Sequence, residues 1–68
     1  MSRGKEKEYA EVSASCIAET PLALLVIVDL KEHWVPKSVV SDDSMVQTKG
    51  DLGALVIEEW FAVKEGLE

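Results

Sequence analysis

Ala10-Glu11-Val12-Ser13-Ala14-Ser15-Cys16-Ile17-Ala18 is the stretch whose reading decides the fold. Its even positions are small or apolar: Ala10, Val12, Ala14, Cys16 and Ala18. The odd positions Glu11, Ser13 and Ser15 are polar, and Ile17 breaks the rule. A period of two places alternate side chains on opposite faces, so the stretch predicts a strand buried on one side. Alanine also favours helix, but Val12, Ser13, Ser15 and Ile17 weigh against it. Ordered structure is expected to begin near Glu8 or Tyr9.

Downstream, Thr20-Pro21 interrupts the pattern, because proline cannot donate to a ladder. Leu22 to Val28 is apolar at both parities, which predicts a central strand buried on both faces. Asp29-Leu30-Lys31-Glu32 is polar enough for a hairpin loop, and no Asn-Gly or Asp-Gly fixes the turn type. His33 to Val40 reads as a third strand, which Pro36 assigns to an edge or a bulge. Ser41-Asp42-Asp43-Ser44 resembles a helix start, with Ser41 as cap and two acids near the positive dipole end, and predicts one turn of helix. Lys49-Gly50-Asp51-Leu52-Gly53 predicts a turn, and Ala54 to Glu58 a fourth strand.

After Glu58 the period changes. Trp60, Val63 and Leu67 recur at helical spacing, which predicts a short helix from Glu59 to Glu65 stopped by Gly66. Continued strand through Val63 is the alternative. The expected fold is mainly β: a small curled antiparallel sheet or barrel, SH3-like or OB-like, of four to five strands with a short C-terminal helix.

The chain has 68 residues, 47% of them hydrophobic, and fits one domain. Residues 1–7 are expected to be a disordered basic lead and residues 8–68 a single β domain. A chain of this size buries only roughly 60% of its unfolded surface, so its core is small. Cys16 is the only cysteine, which excludes a disulfide scaffold. The formal net charge of −6 is unevenly spread. Arg3, Lys5 and Lys7 against Glu6 leave the first seven residues at +2, and the remainder carries −8. So acidic a body repels phosphate and disfavours nucleic acid as a partner. The longest apolar run, Leu22 to Val28, is far short of the roughly twenty residues a membrane helix needs, so no membrane partner is expected. With no apolar leader and one unpaired cysteine, a reducing cytosol is the expected compartment.

From His33 onward a second pattern emerges. Trp34-Val35-Pro36-Lys37-Ser38 is followed by Asp42-Asp43-Ser44 and by Lys49-Gly50-Asp51-Leu52-Gly53. Leu55-Val56-Ile57-Glu58-Glu59-Trp60-Phe61-Ala62 and Lys64-Glu65-Gly66-Leu67 complete it. This part of the chain resembles a group of small uncharacterised proteins of bacteriophages, prophages and plasmids. They have a W-(I/V)-P-(K/Q)-S block, a G-(D/H)-x-G turn and a W-x-A-x-x-x-G-L tail. The resemblance implies a mobile-element origin and a life in the bacterial host cytosol, and no mechanism.

Constellations for catalysis are missing from the sequence. One histidine, His33, and one cysteine, Cys16, make neither a nucleophile–base–orienter set nor a structural zinc site. Asp42, Asp43, Ser44 and Asp51 lack the spacing of a calcium loop, and Asp51 between Gly50 and Gly53 would repel a phosphate. Adjacent carboxylates at Glu58 and Glu59 face opposite ways on a strand. The expectation is a protein that is not an enzyme and has no cofactor or metal.

Binding chemistry remains. Trp34 with Lys37, and Trp60 with Phe61 and Lys64, form two aromatic-plus-basic clusters that could stack bases on an OB-like surface. In so small a protein both tryptophans are expected in the core. The acids Glu8, Glu11, Glu19, Asp42, Asp43, Glu58, Glu59, Glu65 and Glu68 suggest a carboxylate-rich surface for a basic protein partner. The candidate surface is therefore Trp34, Lys37, Asp42, Asp43, Glu58, Glu59, Trp60 and Lys64. The leading expectation is an accessory protein that binds a host or phage protein, with a small nucleic-acid-binding barrel as the alternative. An unblocked strand edge elsewhere than the Pro36 strand would also allow a homo-oligomer.

Overall fold

A computed structural model describes residues 8–67. The basic lead, residues 1–7, and Glu68 lie outside the described residues. β1 spans Tyr9–Glu19, β2 Ala23–Val28, β3 Lys31–Pro36 and β4 Leu52–Glu58, followed at once by the helix α1, Glu59–Lys64. A single 3-10 turn, Lys37–Val39, follows β3. The strands form one sheet in the order β3-β2-β1-β4, with all neighbours antiparallel. The sheet curls but does not close, so β3 and β4 remain as edges and the barrel alternative falls.

One face of the sheet carries the core. Ala10, Ala14 and Cys16 of β1, Leu24 and Val26 of β2, Val35 of β3, and Leu55 and Ile57 of β4 are buried there. Phe61 and Ala62 of α1 cover them, with Val39 and Val46 from the β3–β4 connection. Among the described residues, the other face has no covering layer. β2 is therefore buried on one side only, with Ala23, Leu25 and Ile27 half-buried on the second face.

Ile17, the residue that broke the alternation of β1, is where the ladder slips. Cys16 is opposite Val26 and Ala18 opposite Leu25, with the irregularity between them. The extra residue of a bulge flips parity, which moves Ala18 to the open face with Leu25.

The β2–β3 connection is shorter than the expected loop. Val28 pairs with Lys31, which leaves only Asp29 and Leu30 in the turn, at φ 53° and 70°. Two positive φ values define the type I′ hairpin, whose twist matches the flanking strands. β3 then stops at Pro36, and the Lys37 amide donates to the Leu22 carbonyl at 2.9 Å before the chain turns.

The helical turn expected at Ser41-Asp42-Asp43-Ser44 is instead a single β-turn. The Ser44 amide donates to the Ser41 carbonyl at 3.0 Å, and Ser41 Oγ accepts from the Asp43 amide at 3.1 Å. A helix cannot propagate there because β4 captures the backbone on both sides of the turn. The Ser41 amide donates to the Val56 carbonyl and the Met45 amide to the Ala54 carbonyl, both at 2.9 Å. Ser44 is buried, and its Oγ accepts from the Val56 amide at 3.0 Å. The outer edge of β4 is thereby covered.

α1 ends in a Schellman cap. The Leu67 amide donates to the Ala62 carbonyl at 2.8 Å and the Gly66 amide to the Val63 carbonyl at 3.1 Å. Gly66 holds φ 75°, the left-handed value this cap requires. Leu67 packs partly against the core.

Candidate functional site at the start of the helix

Strand register builds this site. Tyr9 is paired with Glu58 across the β1–β4 ladder, and the Glu59 amide donates to the Glu8 carbonyl at 2.8 Å. The first residue of the described chain is thus pinned to the first turn of α1. Glu8, Glu58, Glu59, Trp60 and Val63 line one open depression of about 510 Å³. Within it, Trp60 Nε1–H donates to Glu58 Oε1 at 2.7 Å, which fixes the indole. The next residue, Phe61, turns into the core and meets the Trp60 ring edge to face at 5.7 Å and 89°. Phe61 is 5% exposed and Trp60 57%.

The carboxylates are close enough to oppose one another. Glu8 has its carboxyl raised from the ordinary value by a hydrogen bond with Glu59 and then by repulsion from the Glu59 charge. Two carboxyl groups competing for one proton make a place where a cation is welcome. An exposed indole beside them offers a π face to the same cation.

Other candidate residues are dispersed. Trp34 is 52% exposed on the open face of β3, where it pairs with Leu25. Neither tryptophan is in the core, contrary to expectation. The core beneath one small sheet is filled by aliphatic side chains and Phe61, and among the described residues nothing is stacked on the face carrying Trp34. Leu25 pairs in turn with Ala18, whereas Trp60 lies beside Glu8, some 30 Å away along β1 at strand rise. One stacking platform therefore cannot use both rings.

Lys37 is held by Glu19 in an ion pair. Glu19 also accepts from the Thr48 hydroxyl at 2.9 Å and the Lys49 amide at 3.2 Å. Its carboxyl is lowered to about 2, by Lys37 first, then the Lys49 amide and the Thr48 hydroxyl. Asp42 and Asp43 are exposed in the turn flanking β4 and do not line the Trp60 depression. Lys64 is exposed on α1, one turn beyond Trp60.

Glu8 belongs to the site and was missing from the candidate surface. In the sequence it is one of the acids of the carboxylate-rich surface, and what sets it apart is its position just before β1. That signal becomes informative once β4 is known to pair with β1.

Cys16 is buried, donates from Sγ to the Ala18 carbonyl at 3.2 Å, and has its thiol pushed up by burial. Among the described residues, no three or more His, Cys, Asp or Glu side chains are grouped to hold a metal. Among the same residues no helix is long and apolar enough to cross a membrane.

No protein-family model, curated protein or solved structure matches this chain.

Proposed function

We propose that this protein is a non-enzymatic accessory protein of a phage or mobile element. It binds a basic protein partner in the cytosol through the acidic depression around Trp60. One observation carries this reading: Glu8, Glu58 and Glu59 converge on an exposed, hydrogen-bonded indole. An arginine or lysine entering the depression would meet carboxylates and an aromatic face together, a combination that favours guanidinium in particular. The cation would also relieve the repulsion between Glu8 and Glu59.

The acidic body supports a protein over a nucleic acid. Lys37, one of the cations a stacking surface would need, is already neutralised by Glu19, and the two tryptophans lie apart.

The experiment is a fluorescence-anisotropy titration with two labelled probes at two salt concentrations. One probe is an arginine-rich peptide and the other a single-stranded oligonucleotide. The expected result is peptide binding that weakens with salt and is lost in Trp60→Ala and Glu59→Gln, with no oligonucleotide binding. Salt-sensitive oligonucleotide binding would transfer the protein to the nucleic-acid class.

A further inference from the structure

The open edge of β3 is a second surface, distant from Trp60. In a two-residue hairpin the closing pair is hydrogen-bonded, and bonded and non-bonded pairs then alternate. Val28–Lys31, Val26–His33 and Leu24–Val35 are therefore the bonded pairs of the β2–β3 ladder. The Lys37 amide on the Leu22 carbonyl continues this phase. It follows that the backbone amides and carbonyls of Glu32 and Trp34 point away from β2. Among the described residues nothing pairs with them. Pro36 offers a carbonyl and no donor. The opposite edge, β4, is covered by Ser41, Ser44 and Met45.

We propose that this edge pairs with the same edge of a second copy, antiparallel about a two-fold axis through His33. An outward-facing residue can bond only to another outward-facing residue, which leaves few registers. Centred on Glu32, the pairing puts two glutamates face to face. Centred on Trp34, it puts Lys31 opposite Lys37 of the second copy. Centred on His33, Glu32 and Trp34 exchange both bonds with Trp34 and Glu32 of the other chain, and no like charges lie directly opposite. In this register the hairpin tip also gains a neighbour. Leu30 is 96% exposed at a left-handed φ that a leucine disfavours. In the pairing it comes alongside Pro36 of the second copy, and Asp29 comes opposite Lys37. On the open face the two Trp34 rings become diagonal neighbours, within reach of each other.

A two-fold pairing consumes the β3 edge of both copies, so along this edge the assembly closes at two copies. The interface is short, so the dimer is weak and concentration-dependent. Sedimentation equilibrium of the unmodified protein from about 20 µM to about 1 mM tests the association. The expected result is a mass rising from 7.5 kDa towards twice that value. A monomer throughout would overturn the proposal.

Register is tested separately by self-crosslinking in a Cys16→Ala background. His33→Cys places two thiols directly opposite and is expected to oxidise to a disulfide dimer roughly tenfold faster than Trp34→Cys. The reverse order would overturn the register. Amide exchange at Glu32 and Trp34 is expected to slow with concentration. Dimerisation without that slowing would place the interface elsewhere.

Discussion

The Ser44 hydroxyl sits 3.0 Å from the Val56 amide, twelve residues along the chain, and takes the place of a neighbouring strand's carbonyl. The same oxygen accepts from the Val46 amide at 3.2 Å and donates to the Val46 carbonyl at 3.0 Å. Removing it leaves a β4 donor unsatisfied in a buried place. Ser44→Ala should cost about 1–3 kcal/mol, read as a lower urea midpoint with an unchanged m-value.

Leu30→Gly should stabilise the monomer. It creates Asp-Gly, the sequence preferred for a type I′ turn, at a position where leucine holds φ 70°. The lost side chain contacts almost nothing within its own chain. A gain of about 1 kcal/mol is expected in thermal or urea unfolding at low protein concentration. Sedimentation of the same variant should show weaker self-association. That pairing of effects separates a strained tip from an idle one.

Glu8 and Glu59 should set stability and binding against each other. A folded-state carboxyl raised above its ordinary value favours the fold under acid and loses that contribution as pH rises through the raised value. At pH 7 the two charges oppose folding. Glu8→Gln should therefore raise the denaturation midpoint at pH 7, have little effect below the ordinary carboxylate range, and weaken arginine-peptide binding. Equal effects at both pH values would point to packing instead of charge.

Glu19 works with the opposite sign. Its carboxyl lies at about 2, well below the ordinary value, because Lys37, the Lys49 amide and the Thr48 hydroxyl all prefer the charged form. The contribution is present above the unfolded carboxylate range and is lost as pH falls towards 2. Glu19→Gln should lower stability at pH 7 and flatten the acid side of the pH–stability curve. Equilibrium unfolding at pH 7, 4 and 3 would check this.

Element types were legible because short-range patterns carried them. The alternation Ala10 to Cys16 placed β1, the change of period after Glu58 placed α1, and Gly66 marked its end. Ile17, the one flaw in the pattern, was the bulge. Tertiary context decided the rest. Parity could not say that β2 would be covered on one face only, because that depends on how many layers the chain can build. Ser41 caps a turn, and it is the proximity of β4 that prevents a helix there. Size alone argues for tryptophans in the core, but a core of this volume is filled by Phe61 and aliphatic residues. At the site, Glu58, Glu59 and Trp60 were adjacent and could be found by inspection. Glu8 required the β1–β4 register, which no local pattern encodes.

β1 serves its two neighbours with different halves. Ser15 to Glu19 pair with β2, and Tyr9 to Ser15 pair with β4. The first pairing joins segments separated by a tight connection, while the second must wait for a strand that begins at Leu52. During synthesis the leading half of β1 therefore stands without a partner until almost the whole chain has emerged. Glu8 and Trp60 meet only at that last step. The acidic depression is completed at the end of folding, and a chain cut short before α1 would present the open β3 edge without it.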